Sequence, residues 1–491
     1  MQILPMRADL RGQLGAALAI ACGLVLTVLG GWVAGHLTLD GRHLLILLLA
    51  ATAAFVLGIL FFYASETLLL LIILFRSNLD LILGMTKIGG GGAGISMGGL
   101  LNALIIGLIA MEMLSRKQIP VWRLLLRTWL PLLVVMIFTL AYTPRLIPGI
   151  KNDLALLSNA AIFLLAFAHV RDKSSHDLWM RAVLLSTIGP VLYGLYQVVT
   201  HTGFQAPAYE GDGLRINSSF THPNIFAFYL VLMLSLLFVV WRGGILAVSP
   251  RVRRLLPVYG LLLLFLLMGT KTRSAWGAMA FFFLAYALIM ERKLLPWLVL
   301  AAGAALFLPD VRERITELTT GNSGMYYQPL NSFAWRKDMW LAALHFMQPA
   351  NYLFGYGKES YEFYSRWFYP LGNGEGPPAH NVYMQVFFDG GLLGLAGFVW
   401  LLIGSGTLAT RVLKSDRKEG FLLVMLVVEF AIVSFSDNML DYLVYNWYLW
   451  FVLGVGLSLH MAQHSGYDAL AARSSPDAQF PAAVASLRKR R

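Results

Sequence analysis

The chain is poor in charge and almost devoid of cysteine. Of its 491 residues, 58% are hydrophobic and only 13% are charged, whereas soluble domains carry about 25% charged residues. The single cysteine, Cys22, excludes an internal disulfide framework. Strands of alternating apolar and polar residues, which a transmembrane barrel requires, are missing as well. These absences argue against a soluble domain, a disulfide-stapled fold and a barrel.

Two common signatures of phosphate and metal chemistry are also missing. The glycine-rich run at residues 89–94 has no Lys-Ser/Thr pair after it and no strand before it, so it is predicted to be a flexible outer loop. The outer loops contain no D-x-D pair for a metal ion. The formal net charge of +12 is better explained by membrane orientation than by nucleic acid, because basic residues collect in cytoplasmic loops.

What the chain does contain is a series of apolar runs of about 20 residues, each long enough to cross a hydrocarbon core of roughly 30 Å. They predict an all-α, polytopic helical membrane protein with about 12–14 transmembrane helices. The first run is long for the core of a cleavable signal peptide, so we expect it to be retained. The candidate spans are 14–34, 43–63, 66–83, 95–114, 122–142, 153–170, 178–200, 222–241, 256–272, 274–290, 294–308, 382–410, 420–437 and 444–462.

The distribution of basic residues predicts the orientation of these spans. With the N-terminus in the cytoplasm, the inner loops include the Arg/Lys-rich segments 116–127, 242–254 and 411–418, whereas the short opposite loops hold few basic residues. This asymmetry follows the positive-inside rule. We therefore expect both termini to be cytoplasmic.

The spans divide the chain into four predicted parts. Residues 1–308 form N-terminal transmembrane helices, 309–380 a long outer-face loop, 381–462 C-terminal transmembrane helices and 463–491 a disordered basic cytoplasmic tail. Connections as long as the 309–380 loop are uncommon unless they are functional or disordered. Within it, Ser332–Phe346 has helical periodicity with Trp and Phe on one side, which favours an interfacial helix.

Three basic side chains are predicted to share the outer face. Arg215 precedes the 222–241 span, Arg273 lies in the hairpin between two spans, and His380 ends the long loop. Arginine binds phosphate oxygens bidentately and keeps its charge, so Arg215 and Arg273 suit a diphosphate. The alternative is that each simply snorkels to the interface.

His380 is either a reactive group or an ordinary interfacial histidine. A neutral imidazole with a pKa near its usual value of about 6.5 can accept a hydroxyl proton. Asn381 follows it directly, and Gly391 and Gly394 lie three residues apart on the next helix, a spacing that lets another helix approach closely. Asp389 is more than two helical turns beyond Asn381, so we do not expect it to pair with His380.

These residues resemble the motifs of a known family. His380-Asn381, nine residues, Gly391, two residues and Gly394 are similar to the signature of the O-antigen ligases. Their superfamily also contains polysaccharide polymerases and protein O-glycosyltransferases. Three further blocks resemble others of that superfamily: residues 213–224 around Arg215, residues 272–276 around Arg273, and residues 336–340 with 353–357.

The resemblance implies a metal-independent, inverting glycosyltransferase of the bacterial inner membrane that needs no cofactor. Its donor would be a glycan on undecaprenyl diphosphate, attacked at the periplasmic face, and its acceptor the lipid A core oligosaccharide. By the same resemblance His380 would act on the acceptor hydroxyl, while Arg215 and Arg273 would bind the diphosphate. Further candidates for substrate binding are Arg336, Asn381, His222 and Lys271, with Arg312 and Arg314 as weaker ones.

Two other functions stay open on the sequence alone. A polymerase of O-antigen or exopolysaccharide repeat units differs from a ligase only in its acceptor, and the long outer loop leans toward it. A polysaccharide or lipid transporter would instead use the intramembrane charges of Arg76, Glu112 and Glu429, but the inverted repeats of many transporters are not evident.

Overall fold

The computed structural model describes residues 56, 58–85, 87–88, 95–115, 121–205, 213–307, 311–312, 316, 332–370, 374 and 376–464. The predictions for the 14–34 span, most of the 43–63 span, Cys22, the 89–94 run, Arg314 and the tail from residue 465 onward lie outside these residues. The chain forms two compact units, residues 1–76 and 77–491. The site residues predicted from the sequence all belong to the second unit.

The described chain is built from helices. Eight helical stretches, one of them covering residues 173–200, are long and apolar enough to cross a membrane, which confirms an all-α, polytopic fold. The helices are α1 Ser65–Met85, α2 Met97–Ser115, α3 Val121–Arg127, α4 Leu130–Thr139, α5 Leu146–His169, α6 Lys173–Leu185, α7 Ile188–Thr200, α8 Pro223–Trp241, α9 Pro250–Gly269, α10 Arg273–Ile289, α11 Leu295–Ala305, α12 Ser332–Phe346, α13 Ser360–Phe368, α14 Val382–Ser415, α15 Arg417–Val433 and α16 Leu443–His464.

Short elements join these helices. Two two-stranded antiparallel ribbons pair β1 (Lys87–Ile88) with β2 (Ile95–Ser96) and β3 (Phe204–Gln205) with β4 (Leu214–Arg215). The second ribbon places Arg215 opposite Phe204. Turns of 3-10 helix cover Leu140–Tyr142, Arg292–Leu294, Pro349–Asn351 and Met439–Asp441.

Two of the predicted spans are interrupted helices. The 122–142 span divides into α3 and α4, and the 178–200 span is covered by α6 and α7. Pro131 and Pro190 lie in the first turn of α4 and of α7 respectively. Proline is tolerated there because the N–H groups of a first turn have no intrahelical partner. A hydropathy average is taken over both helices of such a span, so it does not detect the break between them.

The longest span, α14, is broken at Gly391. This glycine has φ 64° and ψ −158° inside the helix, a conformation that is essentially restricted to glycine. The segment from residue 352 to residue 357 replaces the lost helical bonds. Phe388 O and Asp389 O accept hydrogen bonds from the N–H groups of residues 356 and 357 at 2.9 Å each, while Leu392 N donates to Tyr352 O at 2.7 Å.

Beyond this break α14 lies closely against α4. A Cβ atom added to Gly394 would lie 2.9 Å from Met136 Cε, and one added to Gly397 would lie 2.9 Å from Leu132 Cα. Both glycines therefore remove the bulk that would separate the two helices. The expected close approach of a helix is thus found at Gly394, whereas Gly391 serves the break.

Residues 332–370 and 376–380 include the side chains of a small aromatic core that packs on the start of α14. The predicted helix Ser332–Phe346 is present with these bounds. It is followed by α13, whose Tyr361 is fully buried and stands 5.2 Å from the ring of Phe388. The buried members of this cluster are Met339, Trp340, Ala343, Met347, Tyr361, Ala379 and Phe388. This packing fixes the residues that lead into His380.

Candidate functional site

His380 lies on a backbone that is held from both sides. Trp340 Nε1 donates to Ala379 O at 2.7 Å, and Asn381 N donates to Asn438 Oδ1 at 2.8 Å. Asn381 also caps α14, because its side chain accepts a hydrogen bond from the N–H of the third residue of the helix. His380 itself has φ 48°, a left-handed conformation that non-glycine residues adopt rarely. Such a conformation persists where its surroundings determine it.

The imidazole of His380 lies in an aromatic and cationic environment. It is half-buried, and the Trp335 ring lies 5.9 Å from it. Burial, together with the charges of Arg336 and His222, lowers the pKa of His380 to about 3. The expectation of an unshifted pKa is therefore wrong for the free protein, because apolar neighbours and a guanidinium both disfavour the imidazolium.

Arg215 is buried and is hydrogen-bonded to the protein through at least two of its three nitrogens. Its side chain is 5% exposed. Nε donates to Thr270 O at 2.9 Å, and one terminal nitrogen donates to Asn224 Oδ1 at 2.7 Å and to Thr272 Oγ1 at 3.1 Å. Snorkelling to an interface is thus wrong for Arg215. Its contact with Thr272 brings the β4 segment to the residue that precedes Arg273.

His222 caps the helix that begins beside Arg215. Its Nδ1 accepts from Asn224 N at 3.1 Å at the start of α8, and the Phe204 ring lies 5.0 Å away. Burial, with the charge of Arg215, lowers the pKa of His222 to about 4. His222 is therefore neutral at physiological pH, and its predicted role in substrate binding stays a prediction.

Arg273 and Lys271 occupy the hairpin between α9 and α10. Arg273 is the first residue of α10 and is half-buried. Lys271 is half-buried and has φ 53°. Its backbone is therefore in the left-handed region, like that of His380. Arg312 lies in another segment, where its carbonyl accepts from Thr316 Oγ1 at 3.0 Å. This hydrogen bond is local and does not connect Arg312 with the surroundings of His380.

A buried aspartate connects the separate parts of the site. Asp437 is 1% exposed. Its Oδ1 accepts from Asn224 Nδ2 and from Tyr442 OH, both at 3.1 Å, and its Oδ2 accepts from Ser274 Oγ at 2.8 Å and from Ser436 Oγ at 3.2 Å. Through Asn224 it positions the guanidinium of Arg215. Through Ser274 it ties down the first turn of α10, next to Arg273.

Arg336 reaches the same turn from the long loop. Its NH1 donates to Ser436 O at 2.6 Å, and its Nε is buried with no hydrogen-bond partner among the residues described. Burial raises the pKa of Asp437, and the charge of Arg336 opposes that rise. Arg336 thus joins His380 to Asp437 electrostatically and keeps one buried donor that is not used within the described protein.

Three helices begin at this cluster. Pro223 opens α8, Arg273 opens α10 and Val382 opens α14. The N-terminus of a helix carries a partial positive charge and unpaired N–H groups, so anions are favoured there. Together with Arg215, Arg273 and Arg336, these ends give the cluster a cationic character that the single carboxylate of Asp437 only partly offsets. We name it the cationic cluster.

Sequence reasoning missed the turn that organises this cluster. The run Ser436-Asp437-Asn438 was assigned partly to a transmembrane span, although α15 ends at Val433. The sequence does contain a signal. Three consecutive polar residues between two apolar runs are costly to bury unless their polar groups form hydrogen bonds. Asn224 was likewise noted only as part of a motif.

Two other carboxylates lie elsewhere. Asp389 does not pair with His380, as expected. Its Oδ1 accepts from the N–H groups of Ser360 and Tyr361 at 3.1 Å each, and from Ser360 Oγ at 2.9 Å, so it caps α13. Glu429 is 3% exposed within α15, and its Oε1 accepts no hydrogen bond from the described part of the chain.

One family model matches this chain. Described as O-antigen ligase, it covers residues 258–399, which include Arg273, Arg336 and the His380-Asn381 pair but not Arg215. No curated protein matches the chain. Members of the matched family are glycosyltransferase-like enzymes with lipid-linked glycans and acceptors as partners. The match confirms the resemblance of this multi-pass membrane protein to the O-antigen ligase and polysaccharide polymerase superfamily.

Proposed function

We propose that the protein is an O-antigen ligase-like enzyme. It transfers a glycan from undecaprenyl diphosphate to a hydroxyl of the lipid A core oligosaccharide, at the periplasmic face of the bacterial inner membrane. The observation that carries this proposal is the convergence on residues 436–438. Asp437 holds Arg215 through Asn224, Ser436 O accepts from Arg336, and Asn438 holds the backbone beside His380.

The cationic cluster supplies what a diphosphate leaving group requires. When the bond between the anomeric carbon and the phosphate oxygen breaks, the electron pair and negative charge remain on undecaprenyl diphosphate. Arginine donors that are fixed in advance stabilise this growing charge without reorganising. Arg215 is fixed by Thr270 and Asn224, and the buried Nε of Arg336 is a donor that the phosphate oxygens can engage.

His380 is the proposed general base. The acceptor oxygen attacks the anomeric carbon while its proton passes to the neutral imidazole, and a single displacement inverts the anomeric centre. In the free protein the low pKa makes His380 a weak base. A bound diphosphate places negative charge beside Arg336 and so raises the pKa of His380. The base thereby gains strength when the donor is present.

The test is a reconstituted transfer reaction. The full chain in lipid nanodiscs receives an undecaprenyl-diphosphate-linked glycan, with or without lipid A core glycolipid, and the products are separated on a gel. A ligase attaches the glycan to the core lipid, whereas a polymerase lengthens the carrier-linked glycan without it. No new product in either reaction would contradict both functions.

A matched pair of histidine variants tests the role of His380. His380→Ala should abolish transfer, whereas His345→Ala, at an exposed position in α12, should leave it unchanged. Normal products from His380→Ala would remove His380 from the mechanism. Loss of transfer in both variants would indicate general damage to this segment.

A further inference from the structure

A second polar cluster lies close to the cationic one along the chain and is rich in carboxyl groups. It contains the ammonium of Lys358 and the carboxylates of Asp153, Glu359 and Asp441, which we name the acidic pocket. Burial by itself lowers the pKa of Lys358, but the charges of Glu359, Asp389, Asp153 and Asp441 raise it above its usual value. One ammonium thus stands among several carboxylates.

The floor of the acidic pocket is a buried carboxylate that the protein does not satisfy. Asp153 lies in α5 and is 4% exposed. Neither of its oxygens accepts a hydrogen bond from the described residues. The aliphatic part of the Lys358 side chain packs against α5 one helical turn before Asp153. A Cβ atom on Gly149 would lie 3.4 Å from Lys358 Cγ. An unsatisfied buried carboxylate is unfavourable, so a ligand that donates hydrogen bonds is favoured there.

Two members of the acidic pocket are accessible to solvent. Asp441 is exposed and accepts from Asn152 Nδ2 at 3.2 Å. Glu359 is half-buried and has φ 62°, a strained conformation that fixes where its side chain departs from the backbone. At the rim, Arg145 NH1 donates to Glu362 Oε1 at 3.2 Å. Asp441 and Glu359 are therefore the members of the acidic pocket that a ligand can contact from solvent.

The acidic pocket is joined to His380 by one turn of chain. Asn438 Oδ1 accepts from Asn381 N, and the 3-10 helix Met439–Asp441 follows immediately. Asp441 N donates to Asn438 O at 2.9 Å. Three residues span at most about 11 Å, so Asp441 lies within the reach of a short glycan from the His380 backbone. The 436–441 segment thus faces the cationic cluster at its start and the acidic pocket at its end.

We infer that the acidic pocket binds the acceptor glycan through its neutral sugar hydroxyls. This inference rests on the proposed function. A carboxylate accepts hydrogen bonds and a protonated carboxyl group can also donate one, so both forms suit a sugar hydroxyl, which donates and accepts. The cationic cluster, by contrast, attracts the diphosphate. Among the described residues, no group of three His, Cys, Asp or Glu side chains is arranged to hold a metal ion.

The experiment measures separate KM values for lipid A core glycolipid and for the carrier-linked donor, using the full chain in nanodiscs. Asp441→Ala should raise the KM for the acceptor about tenfold or more, as expected for a lost charge-assisted hydrogen bond, and should leave the KM for the donor unchanged. The matched control is Asp338→Ala, which removes an exposed carboxylate from α12. It should alter neither KM.

A second variant protects the test against misfolding. Glu359→Gln keeps the shape of the side chain and replaces its carboxyl group by an amide, and it should also raise the acceptor KM selectively. Acceptor binding at the acidic pocket would be overturned if every correctly folded variant had the same acceptor KM as Asp338→Ala. It would also be overturned if the KM values for the acceptor and for the donor rose equally. The proposed function fails separately if the unaltered chain does not transfer glycan. It also fails if the His380→Ala variant still transfers glycan.

Discussion

Replacing Gly391 by alanine should destabilise the protein, because this position has room for no side chain. A Cβ atom there would lie 2.3 Å from Leu353 C and 2.5 Å from Phe354 N, which are backbone atoms that cannot turn aside. The backbone conformation at Gly391 costs a non-glycine residue about 1–3 kcal/mol. Overpacking adds about 1–3 kcal/mol, so the free energy of unfolding should fall by about 2–6 kcal/mol.

The control is Gly277→Ala, in the middle of α10. A Cβ atom at Gly277 would meet nothing within 4 Å, and alanine in a helix interior is favoured over glycine by about 1 kcal/mol. The two substitutions add the same methyl group but should shift stability in opposite directions. The assay is thermal unfolding of both variants and the unaltered chain in the same detergent. Equal midpoints for Gly391→Ala and Gly277→Ala would refute the reasoning.

The Gly391 variant should also affect transfer. The break at Gly391 leaves Phe388 O and Asp389 O to accept from the N–H groups of Tyr356 and Gly357. Lys358 follows directly, so displacement of this segment moves the acidic pocket. We expect transfer by Gly391→Ala to fall together with its stability, and transfer by Gly277→Ala to stay normal.

Three further predictions concern the cationic cluster. Arg215→Lys should lower kcat/KM for the carrier-linked donor by about tenfold or more, because an ammonium cannot keep both the Thr270 and the Asn224 bonds; an unchanged value in the transfer assay would contradict diphosphate binding at Arg215. Asp437→Leu should lower the unfolding free energy by about 3–5 kcal/mol, since buried donors and cations lose their counter-charge; thermal unfolding measures this, and an unaltered midpoint would exclude Asp437 as the organising residue. Because the pKa of His380 is lowered to about 3, the pH profile of kcat/KM should show no acid limb from this group near about pH 6.5. An acid limb near that pH that persists when the other histidines are replaced would show that the pKa of the His380 imidazole is unshifted.

The same pKa shift has a consequence for stability. The folded His380 binds its proton less readily than the unfolded chain does, whose histidine has a pKa of about 6.5. The contribution of the neutral imidazole to stability is therefore fully present above about pH 6.5 and declines as the pH falls toward about 3. Thermal midpoints of His380→Ala and the unaltered chain should accordingly converge on acidification.

The general architecture could be predicted from sequence because apolar length is a local property. The bounds of α8, α10 and α16 lie within a few residues of the predicted spans. The breaks could not be predicted in this way. At Gly391 the decisive fact is that the 352–357 segment supplies replacement hydrogen bonds, and that segment lies more than 30 residues earlier in the chain.

The candidate site was predictable only in part, for a related reason. Arginine and histidine reveal their chemistry by residue type, so Arg215, Arg273 and His380 could be singled out one by one. Asp437 takes its importance from Asn224 and Ser274, which belong to different helices. Its role depends on which helix ends meet, and neither residue type nor spacing carries that information.

The two clusters together account for the charge pattern around residues 436–441. A single displacement needs a cationic place for the leaving diphosphate and a place where an acceptor hydroxyl waits beside a base. If both places were cationic, the diphosphate could bind in either, and the base would be depressed further. An acidic pocket on one side of Asn438 and a cationic cluster on the other give donor and acceptor different preferred positions. The short 436–441 segment can fix their separation because Asn438 is bonded to the Asn381 backbone, next to His380.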